Sequence, residues 1–258
     1  MGTDNIEQRR KAENKAKRQR AKDARKANTR QPIPNILILT EGHSEKHYFE
    51  NLKFLLDVQN VTPLKSTYTD SYGVVNQAIK LAKEAKKDGN FFGYIFCVFD
   101  LDTVQDKRFL ELILNFNKAN KDTKIIPVYT FPCIELWFIL HYECHTKPFA
   151  KTGNKSIGET VKETFISDYC PDYHETNESC ISSIAENYKM AIFNANKLFE
   201  QQFDVGSINP ITTIHQLVLL LIEISDRTNN YTYFDKITKE FPLTGWDSKA
   251  KIYKMKLK

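Results

Sequence analysis

No apolar run in this 258-residue chain approaches the ~20 residues needed to cross a bilayer, so a membrane-spanning role is not expected. The charged N-terminus has no apolar h-region, and no secretory signal is read there. Cysteine is scarce: Cys97, Cys133, Cys144, Cys170 and Cys180 are odd in number and irregularly spaced. That pattern matches no disulfide framework and, together with His141, His145 and His174, no standard zinc site. It leads us to expect reduced thiols in a cytoplasm. There is no internal repeat. The GNKS stretch at 153–156 lacks both the Gly-Lys pair and a preceding strong strand, so it is not a phosphate-binding loop.

What is present starts with charge. The net +5 hides an asymmetry, because the first thirty residues hold eleven bases against four acids, leaving −2 for everything else. Those bases include Arg9, Arg10, Lys11, Lys17, Arg18 and Arg20, in a segment with almost nothing apolar to bury. Two readings stay open: a solvated tail, or an arm that binds nucleic-acid phosphates by releasing counterions. Pro32 and Pro34 mark where the tail stops. Hydrophobic residues make up 41% of the chain, enough for a core. We divide it into a basic tail (1–31), an α/β domain (32–150) and a helical extension (151–258).

The chain is organised around NILILTEGHSEKHYF (35–49). Ile36 to Leu39 have the length and branching of a strand buried on both faces. Gly42 permits a sharp turn, Ser44 is placed to cap the helix that follows, and Glu45 lies in its first turn against the positive end of the helix dipole. Glu41 then falls at the carboxyl end of the strand, the edge where ligands collect in open α/β sheets. A weaker strand is read at 61–69 and a helix at 74–87, stopped by Asp88-Gly89. A second strong strand covers 91–99, a helix about 106–117, and a third strand 124–130. A nearly all-apolar helix spans 133–142. Strands alternating with helices indicate a parallel sheet flanked by helices. In the extension, helical patterns run over 159–169, 181–203 and 210–225, the last with Asn209 as cap and Pro210 in its first turn.

The second strong strand runs directly into Asp100-Leu101-Asp102. Two carboxylates two residues apart on an extended run point to the same side, about 7 Å apart along the strand. Their repulsion is most readily offset by a divalent cation, and oxygen-only ligands favour magnesium or manganese. In a parallel sheet Glu41 shares that edge, as does Glu135, which begins the helix after the third strand. Such a set would form a metal-assisted phosphoryl-transfer site. Glu135 is either a further metal ligand or the partner of an internal base. His141, on a face with Ile134, reads as a hydrogen-bonded core histidine. Lys155 is either a phosphate-neutralising cation or a solvated loop lysine.

Four stretches in order, LTEGHSEKHYF (39–49), VFDLD (98–102), PCIELWFILH (132–141) and NPITTIHQLV (209–218), resemble the RloB-like family with its Toprim-type catalytic domain. The resemblance implies a Toprim-like sheet, with Glu41 as general acid or base and Asp100 and Asp102 as magnesium ligands. It further implies a nuclease effector of antiphage defence or abortive infection, working beside an ATPase of RloA-like type. Ile134 stands where that family often has an aromatic, a conservative change. No separate domain with a nucleophilic tyrosine is evident, so hydrolysis is expected rather than strand passage.

Two rivals are kept. FDLDT (99–103) is similar to the nucleophile motif of haloacid-dehalogenase-type phosphatases, although that motif normally sits on the first strand and no later acidic pair is convincing. The other is a non-catalytic nucleic-acid-binding protein whose affinity resides in the tail. Sequence leaves open whether the chain forms a homo-oligomer.

Overall fold

A computed structural model describes residues 34–102 and 108–226, with two short strands at 246–247 and 252–253. The basic tail, with all six of its named arginines and lysines, lies outside the described residues. So does the start of the helix expected from residue 106.

Five strands form the main sheet: β1 (Ile36–Thr40), β2 (Val61–Lys65), β3 (Tyr94–Asp100), β4 (Lys124–Phe131) and β5 (Ile211–Thr212). Their order is β2-β1-β3-β4-β5. The first four are parallel and β5 is antiparallel to β4. Eight helices are found among the described residues: α1 (His43–Leu56), α2 (Ser71–Lys87), α3 (Arg108–Ala119), α4 (Ile134–Ile139), α5 (Ile157–Asp168), α6 (Glu178–Glu186), α7 (Tyr188–Val205) and α8 (Ile214–Ser225). The remaining strands, β6 (Trp246–Asp247) and β7 (Ile252–Tyr253), pair with each other. This is an α/β fold with a helical C-terminal part.

The continuous apolar runs are explained by two cores, one on each face. Alternate residues of a strand point opposite ways. Ile36, Ile38, Phe96, Val98, Ile126 and Val128 join one core with α1, α4 and the helices of the extension. Leu37, Leu39, Ile95, Cys97, Phe99 and Ile125 join the other with α2 and α3. Helix α4 supplies Leu136, Trp137, Phe138 and Ile139, each fully buried, so the helix that looked apolar all round is enclosed by the extension. His141 sits in the same core. Its Nδ1–H donates to the Trp137 carbonyl at 2.9 Å, and the Tyr48 hydroxyl donates to Nε2 at 3.2 Å. Burial pushes its pKa down to about 4, which leaves the ring neutral.

Three local expectations are corrected. Asn209 does not cap the last helix: its side chain both accepts from the Phe149 amide and donates to the Phe149 carbonyl. The following residues add β5 to the sheet, and the helix starts only after Thr213. The single helix read over 181–203 is two, broken at Asn187, a residue of low helix propensity. Cys170 and Cys180 are joined as a disulfide, because the loop between α5 and α6 folds back and brings its two ends together.

Candidate active site

Between β1 and β3 the direction of winding reverses: the chain moves outward from β1 to β2, then returns past β1 to β3 and on to β4. In open α/β sheets a crevice opens at this switch point, at the carboxyl ends of the strands. Glu41 and Asp100 flank it. The Glu41 amide continues the ladder by donating to the Val98 carbonyl at 3.0 Å, which fixes Glu41 beside the end of β3. Asp100 pairs with Thr130 of β4 as the last residue of its strand.

The chain bends at Leu101, and the amides of Leu101 and Asp102 donate to the carbonyls of Thr130 and Pro132. Asp100 is half-buried and Asp102 exposed. One Asp102 oxygen lies against Gly158 in the first turn of α5, so close that an added Cβ on that glycine would collide with it. The extension thus forms one wall of the crevice.

Glu45 was read only as a first-turn acid, and the structure gives it more to do. Gly42 is the N-cap of α1, with φ −113°, an ordinary extended value. Glycine is required there for space, because a Cβ would stand 2.5 Å from Glu45 Oε2. Side chains in a helix lean toward its N-terminus, so a glutamate in the first turn reaches back over the strand end it came from. Ser44 is no cap either. It is buried, and its hydroxyl meets the Tyr173 hydroxyl at 2.8 Å.

Glu135, in the first turn of α4, accepts a hydrogen bond from the Tyr173 hydroxyl at 2.9 Å. Tyr173 comes from the α5–α6 loop and is nearly fully buried. Burial and the Glu135 charge keep its phenol protonated far above the ordinary range. A phenol so buried and committed as donor positions a carboxylate; it is no nucleophile. Neither Tyr173 nor Glu45 carried a motif of its own, although the four-residue spacing of Glu41 and Glu45 across a helix start is a signal that could have found the latter.

The carboxylates perturb one another. Burial raises Glu41 to about 7, opposed by the Asp100 backbone amide and assisted by the charges of Asp70 and Asp102. Burial raises Glu45 to about 8, with Glu135 and Glu41 adding to it. Asp100 is raised well above the usual carboxylate range by burial and by the charges of Glu45, Glu135, Glu41 and Asp102. One Glu41 oxygen, Oε2, is buried without a hydrogen-bond partner. Among the described residues no three Asp, Glu, His or Cys side chains are drawn tightly enough together to form a finished metal cage. The donor set itself, oxygen only with one orphaned carboxylate oxygen, fits a hard divalent cation.

Lys155 lies on the loop before α5 and is held by both oxygens of Glu163, at 2.6 and 2.7 Å. The Asp100-x-Asp102 pair sits on the third strand in chain order, whereas a haloacid-dehalogenase-type nucleophile would be on the first.

The sequence model for RloB-like proteins matches residues 36–221, most of the chain. The chain belongs to the RloB-like family. No curated protein and no solved structure matches it significantly. The RloB-like match begins at β1 and ends within α8, so it takes in Glu41, Glu45, Asp100, Asp102, Glu135 and Tyr173 together with the sheet and the extension that carry them. No helix among the described residues is long and apolar enough to cross a membrane.

Proposed function

We propose that this protein is a magnesium- or manganese-dependent nuclease of Toprim type, hydrolysing phosphodiester bonds of DNA or RNA as an antiphage effector beside an RloA-like ATPase, in the cytoplasm. The observation that carries the reading is the convergence of Glu41 and Asp100 at the switch point of a parallel sheet, with Glu45, Asp102 and Glu135 close enough to raise the pKa of one or both.

On this reading Asp100, Asp102 and Glu45 would hold the cation, with Glu135 at its margin. A bound divalent ion would polarise the phosphate and offset charge on the leaving oxygen. Glu41 is the proton-transfer group. A carboxyl near pH 7 can both accept and return a proton under working conditions, whereas an ordinary glutamate would remain ionised. Tyr173 holds the Glu135 carboxylate by its donated hydrogen bond, and Ser44, donating in turn to the phenol oxygen, fixes the phenol. The enclosed α4 gives Glu135 a rigid base.

The test is cleavage of DNA and RNA with magnesium or manganese, with and without an RloA-like ATPase. The folded double variant Glu41→Gln, Asp100→Ala is expected to lose at least ~100-fold in rate. Full cleavage by that variant ends the proposal. Hydrolysis of a generic aryl phosphate with nucleic acid left intact would point to a phosphatase instead.

A further inference from the structure

The crevice is lined with carboxylates, yet the proposed substrate is a polyanion, so something at its rim must favour phosphate. We propose that Lys162 is that group: it binds a nucleic-acid phosphate next to the scissile one and is held ready by Glu175. This rests on the nuclease reading for its substrate class.

The geometry is as follows. Lys162 lies on α5 four residues after Gly158, hence on the same helix face, and Gly158 is the point where α5 touches Asp102 and Cys133. Its ammonium donates to Glu175 Oε1 at 2.5 Å. Glu175 is two residues beyond Tyr173, whose hydroxyl is bonded to Glu135. Lys162 is therefore fixed along the Glu135 side of the crevice by the same loop that positions Glu135. The Lys162 side chain is 36% exposed and Glu175 56%.

Its electrostatics agree. Burial pulls the Lys162 pKa down, but the bond to Glu175 and the charges of Glu175 and Glu135 outweigh it, so the ammonium stays charged. Lys155 does not compete for the role. It pairs with Glu163 and its charge falls on Glu159 in the first turn of α5, neither of which belongs to the carboxylates of the crevice.

A half-exposed ion pair contributes ~1 kcal/mol or less. An incoming phosphate can therefore displace Glu175 cheaply and is repaid by counterion release.

The experiment measures binding of single- and double-stranded DNA and RNA oligonucleotides to the full chain, with calcium in place of magnesium, as a function of salt. Lys162→Gln should bind roughly five- to tenfold more weakly, with a salt slope shallower by about 1. Lys162→Arg should restore binding, and Glu175→Gln should bind at least as tightly as the unaltered protein. Unchanged affinity in Lys162→Gln overturns the assignment. Weaker binding in Glu175→Gln also overturns it, since the pair would then be only a structural tie. Lys162-dependent binding without cleavage in magnesium or manganese overturns the nuclease reading and leaves this assignment standing; cleavage with binding indifferent to Lys162 does the reverse.

Discussion

Glu45 shows at a single residue what it takes to gather carboxylates at one rim. It is 3% exposed, and its carboxyl, like that of Glu41, is displaced upward from the ordinary value of 4.5. A group whose folded pKa is raised binds more protons folded than unfolded. Its stabilising share is therefore complete below about pH 4.5 and is lost as pH rises through about 7 for Glu41 and about 8 for Glu45. The metal-free protein should melt at a higher temperature near pH 5.5 than near pH 8, by several degrees for a shift of a few kcal/mol. Glu45→Gln should flatten this dependence and raise the melting temperature at the upper pH. Magnesium should stabilise the unaltered protein there and stabilise Glu45→Gln less. Scanning calorimetry at both pH values, with chelator and with magnesium, checks it; a pH-independent melting temperature would refute the carboxylate coupling.

At the scale of elements, β4 depends on a neighbour contributed from more than eighty residues later. The Thr213 hydroxyl accepts from the Tyr129 amide at 2.9 Å, and the Thr213 amide donates to the Tyr129 carbonyl at 2.9 Å. The Thr130 and Thr212 hydroxyls meet at 2.9 Å alongside. Thr213→Val keeps shape but removes the acceptor, leaving a buried amide without that bond at a cost of ~1–3 kcal/mol. Urea unfolding should record that loss, and because β4 leads directly into α4, the magnesium binding we propose at the crevice should weaken with it. No loss in stability would mean the amide finds another acceptor. The strands were legible because runs such as Ile36–Leu39 and Ile95–Phe99 are short, apolar and rich in β-branched or aromatic residues. β5 was not. Two residues after Asn209-Pro210 carry no periodicity, and the same dipeptide is an equally good helix start.

For the whole molecule, charge is divided between a basic first thirty residues at +7 and the rest at −2. Deleting residues 1–30 should leave the core folded and weaken nucleic-acid or partner binding, most strongly at low salt. Circular dichroism and salt-dependent binding check the two halves of that statement, and unchanged binding would reduce the segment to a passive tail. The helical extension shares a core with the sheet, encloses α4, and brings Gly158 and Tyr173 to the crevice.

Sequence alone settled the alternation of strands and helices, and with it the common edge of Glu41, Asp100 and Glu135, since a parallel sheet sends every strand end the same way. It also carried family membership, through four ordered stretches. Only the tertiary structure decided that Glu45 leans back over that edge, that Tyr173 holds Glu135 and that Lys162 pairs with Glu175 two residues beyond that tyrosine. Contacts between residues tens of positions apart leave no spacing to read, because they are set by how the extension closes over the sheet.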